Sequence, residues 1–281
     1  MFTDDAVTPV RLEILVDLLC RRSLGREELY SLLQPKALEP NAQSIPAKAT
    51  LRAALELGLA VEEGDSVSVA VPTKREKNTQ VAILKAFDEN VLSHSGVEKY
   101  FALFYAYFLH VGKGVYTRSG KYDDWAAQFN KDVFADEPQA NPFNAEKLTG
   151  LHRWFSYVGL GWYDPAENFQ ANPYQRILRV LPKIFGKHRK LKSEDFMQSI
   201  GTICPELDGG QIFQQANRNW KIEDKQCSLG LSHALIELHE DNVLRLDCPA
   251  DCQDWSLREA EPPRDDSFKG DRFALVEWRK D

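Results

Sequence analysis

Five lysine and arginine side chains and one histidine lie within a ten-residue stretch of the chain that contains no acidic residue. They are Lys183, Lys187, His188, Arg189, Lys190 and Lys192. Clustered cations of this kind can neutralise the phosphates of a nucleic acid and release the counterions bound there. The same pattern is also typical of a solvated surface without a specific ligand. The stretch is therefore a candidate phosphate-binding segment, with a solvated face as the alternative.

A predicted helix near the N-terminus, which follows Ser44 and ends at Gly58, carries a second group of candidates. Lys48, Thr50 and Arg52 lie on it, and long cationic or hydroxyl side chains on a recognition helix contact bases and phosphates. The turn that follows, EEGD at residues 62–65, is acidic and would repel a phosphate backbone. Contact with a second copy or with a partner protein is therefore the alternative for this helix.

Another predicted helix, starting near residue 145, supplies Lys147 and Arg153 as candidates for phosphate contact. A later helix differs, because Glu237, Glu240 and Asp241 lie on or near its outward side. Like charges would meet the DNA backbone there. We expect this helix to bind a protein or to be purely structural.

The distribution of charge agrees with a basic middle region. Residues 1–72 hold 7 Lys and Arg against 11 Asp and Glu, a net charge of −4. Residues 73–192 hold 18 against 12, which gives +6, and residues 193–281 hold 10 against 19, which gives −9. The total of −7 does not favour nucleic acid, but phosphate binding depends on local positive charge more than on the total. The middle region is where the charge favours binding.

Signatures of catalysis and of metal binding are weak. The chain contains no GxSxG, HExxH or GxGxxG, and GKGVYTRSGKY from Gly112 has the wrong spacing for a phosphate loop. Cys227, Cys248 and Cys252 could contribute to a zinc site, although a C-x3-C spacing is weaker than paired CxxC knuckles. Thiols buried as small apolar side chains are the alternative. We expect no enzyme activity, no cofactor and no metal.

Three segments share one order, in which an amphipathic helix and a helix stop are followed by two strands around a turn. They span residues 44–71, 144–173 and 228–257. A helix followed by a β-hairpin is how a winged-helix unit ends, and in the first copy two more helices precede it. The predicted fold class is therefore α+β, mostly helical, with tandem winged helix-turn-helix-like domains.

The domain organisation follows from these segments. We expect an N-terminal winged helix in residues 1–72 and an aromatic-rich helical domain in residues 79–173 that ends in a winged-helix-like unit. Residues 174–262 would form a C-terminal winged-helix-like domain, and residues 263–281 a tail with an edge strand. The helix predicted at residues 97–111 is apolar around nearly its whole circumference, which indicates burial, and about 15 residues are too few to span a bilayer.

The chain resembles the DpdG-like family. The resemblance is carried by TPVRLEILVDLLCRRSLGREEL at residues 8–29, by LELGLAVEEGDSVSV at residues 55–69, by the length and by the further winged-helix-like units. It covers most of the chain as order and pattern, without a diagnostic motif. It implies a cytoplasmic accessory subunit of a bacterial antiphage system that places deazaguanine bases in DNA, working beside helicase and nuclease proteins. No catalytic residue carries over.

Three functions are consistent with the sequence. The first is a non-enzymatic DNA-binding or accessory subunit of a bacterial defence or DNA-modification system, with duplex DNA and protein subunits of a larger assembly as partners. The second is a protein adaptor that uses winged helices for docking without nucleic-acid contact. The third is a hydrolase acting on nucleic acid. The acidic start of the chain and its odd cysteine count favour a cytoplasmic protein with reduced thiols and no membrane partner.

Overall fold

The structure is a computed structural model. It describes residues 2, 6–35, 37, 45–93, 98–111, 116–117, 122–135, 139, 141–163, 165, 168–249, 254–258 and 271–279. Ser44, Cys252, most of the GKGVYTRSGKY segment and most of the predicted tail lie outside the described residues.

Twelve helices and eleven short strands make up the described chain, so the predicted α+β, mostly helical class is confirmed. The helices are α1 (Pro9–Arg21), α2 (Arg26–Leu33), α3 (Ile45–Glu56), α4 (Val71–Lys74), α5 (Thr79–Asn90), α6 (Lys99–Val111), α7 (Tyr122–Phe134), α8 (Ala145–Tyr157), α9 (Tyr174–Phe185), α10 (Ser193–Ile203), α11 (Gln211–Ala216) and α12 (Leu229–Glu240). The strands are β1 (Leu24–Gly25), β2 (Ala60–Glu63), β3 (Ser66–Val69), β4 (Tyr116–Thr117), β5 (Gly161–Tyr163), β6 (Asn168–Ala171), β7 (Lys190–Lys192), β8 (Leu244–Asp247), β9 (Trp255–Ser256), β10 (Arg272–Phe273) and β11 (Leu275–Trp278).

One order of elements recurs three times along the chain: helix, strand, two helices, then two more strands. The first copy is α1-β1-α2-α3-β2-β3 and the second is α6-β4-α7-α8-β5-β6. The third runs from α9 and β7 through α10 and α12 to β8 and β11, with α11 inserted between its second and third helices. In each copy the last strand lies between the other two, in the orders β1-β3-β2, β4-β6-β5 and β7-β11-β8, and every pairing is antiparallel.

The described residues form two compact units. The first unit comprises Met1–Phe101 and Ala145–Tyr157, and the second comprises Ala102–Asn144 and Val158–Asp281. Helix α8 therefore belongs to the first unit, whereas the strands that follow it belong to the second. The predicted domain boundaries describe a finer division of the chain and stay predictions.

Local sequence explains the start of the first unit. The Thr8 hydroxyl accepts a hydrogen bond from the Arg11 amide at 3.3 Å, and Pro9 occupies the first turn of α1. Helix α3 ends before Gly58, whose φ of +67° is the left-handed conformation that glycine tolerates. The predicted turn at Gly64 and Asp65 joins β2 to β3, where Glu63 faces Ser66.

Aromatic side chains dominate the cores of both units. In the first unit, Phe2 packs against Phe87 and Trp154, with ring centroids 4.8 and 4.6 Å away, and the Trp154 indole donates to the Val7 carbonyl at 3.1 Å. In the second unit, the buried Tyr105 hydroxyl donates to the Leu160 carbonyl at 2.8 Å. The burial predicted for the apolar helix α6 is confirmed by Phe101–Leu109, all at most 3% exposed. Within the described ranges, no helix combines the length and the apolar character needed to cross a bilayer.

Two expectations for the C-terminal segment are wrong. The sequence predicted that β8 forms a hairpin with the strand around Trp255, but β8 pairs with β11, and β9 pairs with β10. The strand near residue 275 was predicted at an edge, but β11 is the central strand between β7 and β8. The physical reason is that β11 offers β8 a ladder of four residue pairs and buries Val276 completely, whereas β9 has only two residues.

Candidate nucleic-acid interface

The basic segment, defined as Lys183, Lys187, His188, Arg189, Lys190 and Lys192, lies at the end of α9 and along β7. All six side chains are exposed. Helix α9 contains Pro182 in its last turn and continues to Phe185. It is closed by Gly186, which has a φ of +53° and donates its amide to the Pro182 carbonyl at 3.1 Å.

Backbone hydrogen bonds hold the rest of the basic segment. The His188 amide donates to the Phe185 carbonyl at 2.8 Å, and the Arg189 carbonyl accepts from the Trp278 amide at 2.8 Å. Strand β7 then pairs with β11, with Leu191 opposite Val276. Because Val276 is fully buried, β11 anchors β7 to the core, and the flanking lysines of β7 remain exposed.

Carboxylates contact the basic segment at one point. Lys190 Nζ lies 3.4 Å from Asp247 Oδ2, and Lys190 faces Glu277 across the β7-β11 pair. The other five members have no carboxylate within ion-pair distance among the described residues. Glu194, at the start of α10, instead forms an ion pair of 3.5 Å with Lys225. The basic segment therefore keeps a surplus of positive charge at the surface.

Helix α3 presents the two predicted cations at its surface, but not the predicted hydroxyl. Lys48 is exposed, with Nζ 6.0 Å from the centroid of the Tyr30 ring. Arg52 is exposed but forms an ion pair of 2.7 Å with Glu56, one turn further along. Thr50 is fully buried, and its hydroxyl donates to the Pro46 carbonyl at 2.7 Å, so it cannot contact a ligand at this surface. In the acidic turn that follows α3, Glu62 forms an ion pair with Arg26, with 2.6 Å between Nε and Oε1.

Helix α8 carries Lys147 and Arg153 in the first unit. Lys147 is half-buried, with Nζ 4.8 Å from the centroid of the Tyr100 ring, a cation–π distance. Burial lowers the pKa of Lys147, and the charge of Glu98 opposes this shift. Arg153 is exposed. Of the two candidates, Arg153 is the one whose side chain extends to the surface.

Helix α12 is the element of the third copy that corresponds to α3 and α8, and most of it is buried. Its buried residues include Leu231, Leu235 and Leu238. Glu240 and Asp241 are exposed, and burial raises the pKa of the half-buried Glu237. Its exposed surface is therefore acidic, as the sequence indicated.

The predicted interface residues are divided between the two units. Lys48, Thr50, Arg52, Lys147 and Arg153 belong to the first unit, and the whole basic segment belongs to the second. The second unit therefore contains the largest group of predicted cations that the structure brings together. The first unit contributes three exposed side chains from two helices.

The second unit contains three buried ionisable groups that were not predicted from the sequence. Arg176 Nε lies 2.9 Å from Glu206 Oε1, and the two side chains are 2% and 0% exposed. Asp208, which is 3% exposed, accepts hydrogen bonds from the Ser228 amide at 2.5 Å and from its hydroxyl at 2.7 Å. Burial raises the pKa of Asp208 to about 6. The sequence signal for Arg176 is an arginine on the otherwise apolar side of α9, but nothing in the sequence identifies its partner.

The cysteines give no support to a zinc site. Cys248 is disulfide-bonded, which removes a thiolate ligand, and the expectation of reduced thiols fails for this residue. Cys227 is a free buried thiol, and burial raises its pKa well above the usual value. His239 accepts a hydrogen bond from the Leu246 amide through Nδ1 at 3.0 Å. Among the residues that the structure describes, no group of three or more His, Cys, Asp or Glu could hold a metal ion.

Comparison with known proteins identifies the family of this chain. Searches of curated proteins and of solved structures found nothing that matches the chain. A family model described as DpdG-like matches residues 2–252. These residues include the helices α3, α8 and α12, the helices that precede them, and the basic segment. Since this match covers most of the 281 residues, the chain belongs to the DpdG-like family.

Proposed function

We propose that this protein is a non-enzymatic, cytoplasmic DNA-binding subunit of a bacterial DNA-modification and defence system, and that it binds duplex DNA through the basic segment. Membership of the DpdG-like family associates the chain with DNA-modification systems. The observation that carries the DNA contact is the exposure of all six members of the segment, of which only Lys190 has an ion-pair partner among the described residues.

The fold supports a further part of the proposal, that each of the three copies is a winged helix. The order helix, strand, helix, helix, strand, strand is that of a winged helix-turn-helix, in which the third helix is the recognition helix. Helices α3, α8 and α12 are third in their copies, if the inserted α11 is set aside. Their exposed cations are few, however, so they are secondary contacts in this proposal.

The basic segment suits phosphate contact better than base recognition. Its side chains extend from a helix end and a short strand, and none of them lies on a third helix. Cations at such places bind phosphates and orient the protein on the DNA backbone, but they do not read the base sequence. We therefore expect binding that is sensitive to salt and weakly dependent on DNA sequence.

The experiment is a titration of labelled duplex DNA with the full chain, followed by fluorescence anisotropy over a salt series. We expect a complex at micromolar protein in low salt, and a linear fall of the logarithm of the binding constant with the logarithm of salt concentration. Single-stranded DNA and RNA of the same length are the comparison ligands. If no complex forms with the duplex at low salt, the proposal is wrong.

A second function, protein docking, is favoured by the acidic surfaces. Glu240 and Asp241 at the end of α12, and Glu63 and Asp65 at the β2-β3 turn, are exposed. Such surfaces repel DNA and suit a partner with basic side chains. Co-purification of a stable partner from the native host, together with no DNA affinity of the chain alone, would favour this adaptor function.

A further inference from the structure

A cavity of about 300 Å³ lies within the second unit, where the end of α6 meets the turn after α11 and the start of α12. Its lining includes His110, Asp208, Phe213, Trp220, Ser228 and Arg258. This volume is at the lower end of the range of small-molecule sites, about 300–1,000 Å³. The cavity shares no residue with the basic segment.

One side of the cavity is aromatic. The His110 ring centroid lies 5.8 Å from that of Trp220 and 6.2 Å from that of Phe213, in edge-to-face arrangements. Trp220 remains 41% exposed, so part of its indole is available to a ligand. Burial lowers the pKa of His110, and the nearby charge of Arg258 lowers it further. This shift favours the neutral imidazole, which extends the uncharged aromatic surface.

Arg258 supplies a cation at the same cavity. Its Nη1 donates to the His110 carbonyl at 2.9 Å, and its backbone amide donates to the Ser232 hydroxyl at 2.9 Å. No described residue accepts from Nε or Nη2, which leaves part of the guanidinium for a ligand. A guanidinium fork matches the oxygens of a phosphate or carboxylate. Lys221 and Glu223, which are both exposed, lie on the same lining and carry opposite charges.

Asp208 lines another side of the cavity, and hydrogen bonds hold its carboxylate in place. Both of its oxygens accept hydrogen bonds from Ser228, and Ser228 also caps α12. A carboxylate oxygen has more than one lone pair, so Asp208 can accept one more hydrogen bond, from a ring N–H or an amino group. The neighbouring Cys227 amide donates to the Ser256 carbonyl at 2.9 Å, which ties this side of the cavity to the strand β9.

We propose that this cavity binds a nucleotide, with the base against Trp220, the phosphate at Arg258 and a base N–H or amino group at Asp208. The aromatic surface matches the face of a base, the guanidinium matches a phosphate, and the buried carboxylate matches a hydrogen-bond donor on the edge of the base. The nucleotide is either free in solution or a unit of a single strand. The inference does not rest on DNA binding by the basic segment.

The test is calorimetric titration of the full chain with adenosine, guanosine, cytidine and uridine monophosphates, and with inorganic phosphate and the nucleosides as comparison ligands. We expect at least one monophosphate to bind more tightly than its nucleoside and than phosphate. Trp220→Ala, which removes base stacking, and Arg258→Ala, which removes a charge-assisted hydrogen bond to the phosphate, should each weaken that binding by about fivefold or more. Trp162→Ala removes another exposed tryptophan of the second unit, 44% exposed, and should leave affinity unchanged.

A second arm distinguishes the source of the nucleotide. If the monophosphates do not bind, short single-stranded DNA is titrated into the wild type and the same variants. Loss of affinity in both cavity variants, with no loss in Trp162→Ala, would assign the cavity to a strand-borne nucleotide. Thermal unfolding checks that each variant is folded, and Arg258→Lys provides a milder change that keeps the charge. The proposal is overturned if neither ligand binds, or if folded cavity variants bind as well as the wild type.

Discussion

Arg176 and Glu206 form an ion pair inside the second unit, with 2.9 Å between Nε and Oε1 and almost no exposure of either side chain. Helix α9 carries the arginine, and the loop after α10 carries the glutamate. A second oxygen acceptor for the guanidinium is the Ile203 carbonyl, 3.4 Å from Nη2. The pair therefore joins α9, which ends in the basic segment, to the end of α10.

We predict that Glu206→Gln destabilises the protein by about 3–5 kcal/mol, because it leaves the arginine charge buried without a counter-charge. Urea unfolding followed by circular dichroism measures the change. Glu56→Gln is the matched control: it breaks the pair with Arg52, whose side chain is 80% exposed, and should cost far less than Glu206→Gln. Equal costs for the two substitutions would show that Glu206 is not charged and paired as described.

Asp208 predicts a specific pH dependence of stability. Because burial raises its pKa from 3.8 to about 6, the folded state holds this proton more tightly than the unfolded state does. The stabilisation is therefore complete below about pH 4 and is lost as pH rises to about 6, by an amount on the order of 3 kcal/mol. Asp208→Asn should flatten the stability curve between these pH values. Unfolding free energies at a series of pH values measure this, with Asp195→Asn, at an exposed position, as the control.

Much of the local structure was predictable, because it depends on signals within a few residues. The turn at Gly64 and Asp65 and the stop at Gly58 are examples. The pairing of β11 with β8 was not, since these strands are some 30 residues apart and each has only four residues. Strands as short as β1 and β7 carry too little periodicity to be recognised.

Among the candidate interface residues, the predicted cations are exposed except for the half-buried Lys147, and the hydroxyl of Thr50 is buried. Thr50 follows Lys48 by two positions, which places it about 200° away around a helix and on the buried face. Helical geometry could have shown this. The cavity around Asp208 could not have been found, because His110 and Arg258 come from distant parts of the chain.

Within the basic segment, we predict that Lys187 and Arg189 each contribute about one phosphate contact. Lys187→Ala and Arg189→Ala should each reduce the slope of log binding constant against log salt by roughly 0.9 and weaken binding to all duplex sequences alike. Anisotropy titrations at several salt concentrations measure the slope. Lys131→Ala removes an exposed cation elsewhere in the second unit and should leave the slope unchanged. A slope that stays constant in all three variants would remove the segment from the interface.

Because α8 belongs to the first unit, a destabilising substitution in α8 should affect the first unit more than the second. Trp154 is fully buried against Phe2 and Phe87, and its indole donates to the Val7 carbonyl at 3.1 Å. Trp154→Ala should cost about 3–5 kcal/mol, because it opens a cavity in that core and removes the hydrogen bond. Hydrogen exchange should then accelerate in α1 and α5, which belong to the same unit, more than in β5 and β6. The surface substitution Trp162→Ala should change stability by less than about 0.5 kcal/mol and leave α1 protected. Faster exchange in β5 and β6 than in α1 after Trp154→Ala would show that α8 is energetically part of its following hairpin, as the sequence pattern alone suggests.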